Sequence, residues 1–343
     1  MTARTDTEVL VVGGGPVGLA AAIEARLAGW DVVLVEPRPS PVDKACGEGL
    51  MPGTLRALLR LGVDPDGWAL RGISYRTAGG RHVDHAFRTG CGRGVRRTTL
   101  HAALGVRADA LGVTRVTGRV TAVEQGTDAV TAAGVRARWL LAADGLHSTV
   151  RRLVGLERRA PTRGRRFGIR RHLALAPWTD LVEVHWAPTA EAYVTPVAPD
   201  LVGIAVLGPP RTDWDAALAA LPRLAARLVG AQHVGPTLGA GPLRQRTTAR
   251  THGRVALVGD ASGYVDALTG EGLRVGLAQA RAAVATLGDP DAYERAWRAV
   301  TRDYRLLTTG LVTWAGSPAR GTIVPVAQGA PWLYGAVVER LAR

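Results

Sequence analysis

Glycines and carboxylates at fixed intervals carry the chemistry legible in this chain. Gly13, Gly15 and Gly18 stand in Val9-Leu10-Val11-Val12-Gly13-Gly14-Gly15-Pro16-Val17-Gly18, directly after an apolar, β-branched run. That spacing makes a phosphate cradle. Gly13 permits a tight turn, Gly15 lets backbone approach a pyrophosphate, and Gly18 lets a helix pack on the strand. Pro16 and Val17 open that helix, whose free N–H groups and positive dipole end suit a diphosphate. Glu36 closes the next apolar strand, about 20 residues on, where a carboxylate bonds ribose hydroxyls. Pro37 and Arg38 follow it and join the cofactor set, as does Val120. Two further acids, Asp144 and Asp260, each come just past an apolar run, in Ala143-Asp144-Gly145 and Val258-Gly259-Asp260. A carboxylate there meets the middle of a long cofactor, so the set points to FAD rather than NAD.

These residues need parallel strands to bring them together. Residues 8–12, 31–35, 139–143 and 254–258 read as buried strands, and 19–28 and 273–287 as helices. Residues 55–61 and 94–104 also read as helices. Residues 73–87 alternate around Gly79-Gly80 as a hairpin, and 115–137 alternate around Gln125-Gly126. Four runs, 167–175, 181–186, 192–197 and 201–207, form a second, largely antiparallel sheet, followed by a helix over 213–228. The fold class is therefore α/β (α+β). A Rossmann-like FAD-binding domain is assembled from 1–72, 94–155 and 245–305. A mainly antiparallel β-sheet substrate domain is inserted as 73–93 and 156–244, and a helical tail covers 306–343.

The remaining motifs complete a resemblance. With Asp144-Gly145, Ser148, Arg151 and Gly259-Asp260 in place, the chain resembles the flavoprotein monooxygenases of the para-hydroxybenzoate hydroxylase superfamily, in its geranylgeranyl reductase-like branch. The resemblance implies a glutathione reductase-like FAD domain. It implies that Asp144, Gly145, Ser148 and Arg151 serve FAD and a transient NAD(P)H, and that Asp260 accepts from the ribityl chain. It places Thr269, Gly270, Glu271, Gly272 and Leu273 at a helix start facing the flavin, with Ala267 where relatives carry proline. Arg97, or its neighbour Arg96, is the arginine that reaches the cofactor. Asp43-Lys44-Ala45-Cys46-Gly47-Glu48 resembles the Cys-Gly-Glu segment that passes the flavin ring in reductase-like members. Cys46 is either a redox or proton-donating residue there or a small packed side chain.

In the second sheet Gly168, Arg170 and His172 alternate on one face, as do Glu183 and His185. Arg170 either meets an anionic or phenolic substrate or lies on a solvated face. The halogenase signature Trp-x-Trp-x-Ile-Pro is absent. The isoprenoid-reductase counterpart reads Glu191-Ala192-Tyr193-Val194-Thr195-Pro196, so Tyr193 stands for Trp and Thr195 for Phe. Cys46, Arg170 and Tyr193 are the candidate catalytic residues.

Composition bounds the rest. The chain has 343 residues, 47% hydrophobic and 21% charged, enough for two lobes. Net charge is +14, yet the basic residues are scattered and almost all arginine, with Lys44 the single lysine. No basic motif suggests nucleic acid. No apolar run reaches the roughly 20 residues of a membrane span, and no leader pattern precedes the first strand. Cys46 and Cys91 are the only cysteines, which suits a reducing cytoplasm. No metal site is expected; a monomer and a homodimer are both open. The expected activity is a FAD-dependent monooxygenase that uses NAD(P)H and O2. Its substrate is a small aromatic, polyketide or isoprenoid-like secondary metabolite, and FAD is held non-covalently. The alternatives are a reductase of C=C bonds and a flavin-binding carrier without turnover. NAD(P)H is expected to dock near the 144–151 loop.

Overall fold

The computed structural model describes residues 5–162 and 164–343. Residues 1–4 of the expected first piece and Arg163 of the inserted piece lie outside them. The first sheet runs in the order Thr251–His252, Val255–Leu257, Val135–Ala142, Thr5–Val12, Val32–Glu36, Thr114–Thr117. The strand Thr5–Val12 is central and pairs in parallel with Val135–Ala142 and Val32–Glu36. Val32–Glu36 and Thr114–Thr117 are also parallel, as are Val135–Ala142 and Val255–Leu257.

Both faces of this sheet are covered, which is why its strands are continuously apolar. Val9, Val11 and Leu34 pack with Leu19, Ile23 and Leu104 on one side. Leu10, Val12, Val33 and Leu140 pack with Val120, Val130 and Val150 on the other. The helix Pro16–Leu27 follows the first strand and crosses back over the sheet to Val32–Glu36.

The second sheet has seven strands. They run in the order Gln232–Ala240, Phe167–Ala174, Leu201–Gly208, Glu191–Ala198, Leu181–Trp186, Gly72–Thr77, His82–Ala86. Only Leu181–Trp186 and Gly72–Thr77 pair in parallel. Its first strand was not expected from the sequence. Gln232–Ala240 contains Gly235 and Pro236 and is largely exposed, as suits an edge. The helix expected over 213–228 is two, Trp214–Ala219 and Pro222–Arg227, because Pro222 has no N–H to continue the ladder. A small sheet, Gly49–Leu50, Gly92–Gly94 and Trp68–Leu70, joins the lobes, and the helix expected from residue 94 starts at Arg97.

The long helix Pro290–Ala315 passes unbroken through residue 306, the expected start of the tail, and the chain ends in Ile323–Gly329 and Pro331–Ala342. Among the described residues no helix is long and apolar enough to cross a membrane.

Candidate active site

Because the central strands run parallel, their carboxyl ends open on one crevice, the place where α/β sheets take ligands. Glu36 ends one of those strands, and Gly13, Asp144 and Asp260 follow the ends of three others. Sterics explain two of the glycines. Gly13 has φ +102°, and a Cβ there would sit 2.5 Å from the Ala143 carbonyl oxygen. A Cβ on Gly18 would lie 1.8 Å from the Gly13 oxygen, so the helix can meet the turn only as glycine. Gly15 differs: a Cβ would meet only Arg97 Nη2, at 3.8 Å, and the space in front is open. The helix that begins at Pro16 has no side-chain cap, which leaves its first N–H groups for a ligand.

Glu36 Oε2 accepts from the Gly14 N–H at 2.8 Å, and Oε1 pairs with Arg38 Nε at 2.6 Å. Burial raises its pKa, but bonds from Arg38 and Gly14 outweigh that and hold the carboxyl below its ordinary value. His101 was not foreseen. Its Nε2 donates to the Gly14 carbonyl at 2.8 Å and fixes the turn from behind. No motif marks it; only the packing of Arg97–Ala110 on the glycine turn brings it there. Pro37 is exposed beside the crevice, whereas the Val120 side chain is buried in the core.

Asp144 Oδ2 accepts from the Val150 N–H at 3.0 Å, while Oδ1 is buried with no partner among the described residues. Gly145 is in the left-handed region, φ +82°, and Ser148 Oγ caps the Arg151 N–H at 2.9 Å. Arg151 is only 1% exposed. Its guanidinium donates to the carbonyls of Ala261 and Leu146, to Gln245 Oε1 and to Glu157 Oε1. It therefore braces the 144–151 loop against the Gly259-Asp260 turn from the interior.

The Asp260 carboxylate has no hydrogen bond among the described residues. Burial raises its pKa, and Arg97, Lys44 and Arg151 pull the other way. Arg97 donates its N–H to Glu48 Oε1 at 2.9 Å, but its Nε is buried and unpartnered. Unused acceptors on Asp144 and Asp260, an unused donor on Arg97, free helix N–H groups and open space before Gly15 are the complement of FAD. The residues fit the group.

Beyond Asp260 the chain turns through Gly270, φ +70°, into the helix Gly272–Ala285, with Leu273 packed on the core. Thr269 Oγ1 is 2.9 Å from Thr308 Oγ1. Glu271 is buried and paired with Arg274; burial outweighs that pairing, and its pKa is pushed up to about 7. This loop closes one end of a cavity of about 330 Å³. Tyr75, Val184 and Tyr193 of the second sheet form one wall, and Leu311, Ile323 and Tyr334 of the last helices form the other. Most polar groups of the wall are satisfied internally. Tyr193 Oη donates to the Leu268 carbonyl at 2.9 Å and Tyr334 Oη to the Ile73 carbonyl at 3.1 Å. What remains for a ligand is largely apolar surface, with the Tyr75 hydroxyl, which has no hydrogen bond among the described residues, as a polar point on it. A wider hollow at Gln125, Trp139 and Arg254 flanks the start of Val255–Leu257 and touches none of these loops.

The candidate Arg170 is neither in this cavity nor on a solvated face. It is 1% exposed, and His172 is 0% exposed. Arg170 Nη1 donates to His172 Nδ1 at 2.9 Å, and Nη2 bonds Asp43 and the Lys44 carbonyl. His172 Nε2 lies 2.6 Å from Glu48 Oε2. Thr195 Oγ1 donates to the Gly47 carbonyl at 2.8 Å. The second sheet thus pins the 43–48 segment, in which Cys46 is half-buried with its Sγ 3.4 Å from the Glu48 N.

A second buried network does the same for the other loop. Arg166 bridges Asp266, at 3.0 Å, and Glu191, and Arg320 bonds Glu191 at 2.7 Å. Glu183 and His185 pair with each other at 2.8 Å, and Arg76 completes the group. Glu183 is desolvated, which raises its pKa, but these partners hold it below the ordinary value.

Comparison with known proteins agrees with this geometry. A model of the FAD binding domain matches residues 6–80 and 83–290. A 60-residue stretch is 52% identical to a menaquinone reductase from Mycolicibacterium smegmatis, covering 18% of this chain but only 15% of that protein. Digeranylgeranylglycerophospholipid reductase 1 from Methanothermobacter thermautotrophicus is 27% identical over 332 residues, 86% of this chain and 83% of that one. Among solved structures, p-nitrophenol 4-monooxygenase PnpA from Pseudomonas putida superposes with a TM-score of 0.80 at 21% identity. That match covers 98% of this chain and 97% of the other, and it shows a shared fold.

Proposed function

The chain belongs to the FAD binding domain family, and from that premise we propose that it is a monooxygenase. It uses NAD(P)H and O2 on an apolar aromatic, polyketide or isoprenoid-like molecule. One observation carries the reading: an apolar cavity between the second sheet and the last helices is lined by the same loop, Leu268 to Glu271, that leads from Asp260 to the helix at Gly272. Bound FAD supplies the electron transfer and oxygen activation. The chain's own residues do the rest. Gly15, the helix start at Pro16, Glu36, Asp144 and Asp260 hold and orient the cofactor. The aliphatic and tyrosine walls select an apolar substrate and exclude water. Tyr193, through the Leu268 carbonyl, fixes the loop on which substrate and cofactor meet.

A reductase of C=C bonds is the second reading. It is favoured by the reductase relative that matches most of both chains and by Cys46 in the pinned segment beside the crevice. The two separate in one assay. A monooxygenase oxidises NAD(P)H and takes up O2 when an apolar acceptor is present. A reductase consumes alkene with O2 removed, and a carrier does neither.

A further inference from the structure

Lys44 is the only lysine among 43 lysines and arginines in the chain. It stands in a segment whose other polar groups are engaged. Asp43 holds Arg170, the Lys44 carbonyl accepts from Arg170, and the Gly47 carbonyl accepts from Thr195. Glu48 accepts from His172 and from the Arg97 N–H. The Lys44 ammonium is different: it makes no ion pair and no hydrogen bond among the described residues. The pinned segment carries it across the crevice to the Asp144-Gly145 turn, where a Cβ on Gly145 would lie 3.6 Å from Nζ.

Its surroundings locate it along the cofactor. Lys44 keeps solvent access, yet loss of hydration and then repulsion from Arg38 and Arg97 lower its pKa, while Glu36 and Asp260 raise it. It thus sits in a cleft within electrostatic reach of Glu36, the ribose-binding acid, and of Asp260, the ribityl-binding acid. The diphosphate of FAD lies between those two ends. Arg38 is already committed to Glu36. A helix terminus contributes only about half a positive charge and Arg97, beside Gly15, one more, which still leaves part of a diphosphate's charge unmatched.

We propose that Lys44 is a diphosphate ligand, its ammonium donating to a phosphate oxygen of FAD opposite the uncapped start of Pro16–Leu27. A lysine suits this place because a compact point charge on a flexible stem can reach a phosphate from across the crevice. The inference rests on the FAD placement above.

The test measures binding of FAD, ADP and riboflavin to the apo-protein by calorimetry, for wild type, Lys44→Gln and Lys44→Arg. Lys44→Gln should weaken FAD and ADP alike, by about ten-fold or more, the loss of one charge-assisted bond. Riboflavin, which has no phosphate, should bind as before, and Lys44→Arg should recover part of the loss. Unchanged FAD and ADP affinities in Lys44→Gln would overturn the proposal. So would an equal loss for riboflavin, which would move the lysine to the ribityl–flavin end. A wild type that binds neither FAD nor ADP would overturn the cofactor placement itself, a result distinct from failure of Lys44 alone.

Discussion

His172 Nε2 and Glu48 Oε2 lie 2.6 Å apart in the closed interior, although 124 residues separate them in the chain. A guanidinium can only donate, so the Arg170 bond to Nδ1 makes that nitrogen the acceptor and Nε2 the proton carrier. The imidazole is therefore neutral, and one tautomer links the second sheet to the segment that holds Lys44 and Cys46. His172→Ala should take one donor from the buried Glu48 carboxylate and cost about 1.5–3 kcal/mol in urea unfolding. His172→Gln, whose amide can accept from Arg170 and donate to Glu48, should recover part of it. Equal losses in the two variants would show that the tautomer plays no role.

The two glycines at the helix start should fail in different ways. A Cβ on Gly18 meets backbone at 1.8 Å, so Gly18→Ala should destabilise the fold by roughly 3 kcal/mol or more. A Cβ on Gly15 meets only an arginine tip at 3.8 Å. Gly15→Val should therefore fold with a near-native thermal midpoint and bind no FAD. A Gly15→Val protein that retains flavin through gel filtration would contradict the placement of the diphosphate.

Glu271 gives the apo-protein a pH signature. Its folded pKa, about 7, stands above the ordinary 4.5. Below 4.5 both folded and unfolded chains keep the proton, and the group is neutral in its effect. Between those values the unfolded chain ionises first, so this group's contribution to stability falls as pH rises and stays low above 7. Glu271→Gln should remove that slope. The stability difference between variant and wild type should grow in the variant's favour by roughly 3 kcal/mol between pH 4.5 and 8. Parallel stability curves would mean that Glu271 is ionised in the native protein throughout.

Much of the cofactor crevice was legible in the sequence because its demands are local. A turn that admits no Cβ must be glycine, and an acid past a buried strand has few structural uses. The networks were not legible, for they join residues far apart. The alternation of Arg170 and His172 placed them correctly on one face, but burial and partners came from Asp43 and Glu48, which periodicity cannot reveal. Arg151 read as a cofactor and docking residue, and its buried bonds to Ala261 and Gln245, which make it a brace as well, could not be read from the motif. The tail read as helical and no more. That Leu311, Ile323 and Tyr334 wall the cavity depends on how Pro290–Ala315 and the last helices fold back on the sheet.

Oxygen transfer to an apolar molecule leaves an isotopic mark on the product. The FAD-loaded protein is given NADH or NADPH and a panel of apolar aromatic, polyketide and isoprenoid compounds under ¹⁸O₂. The products are then read by mass spectrometry. The expected product carries one ¹⁸O atom and disappears when O2 is removed. A product with two added hydrogens and no label, formed equally well without O2, would contradict oxygen transfer.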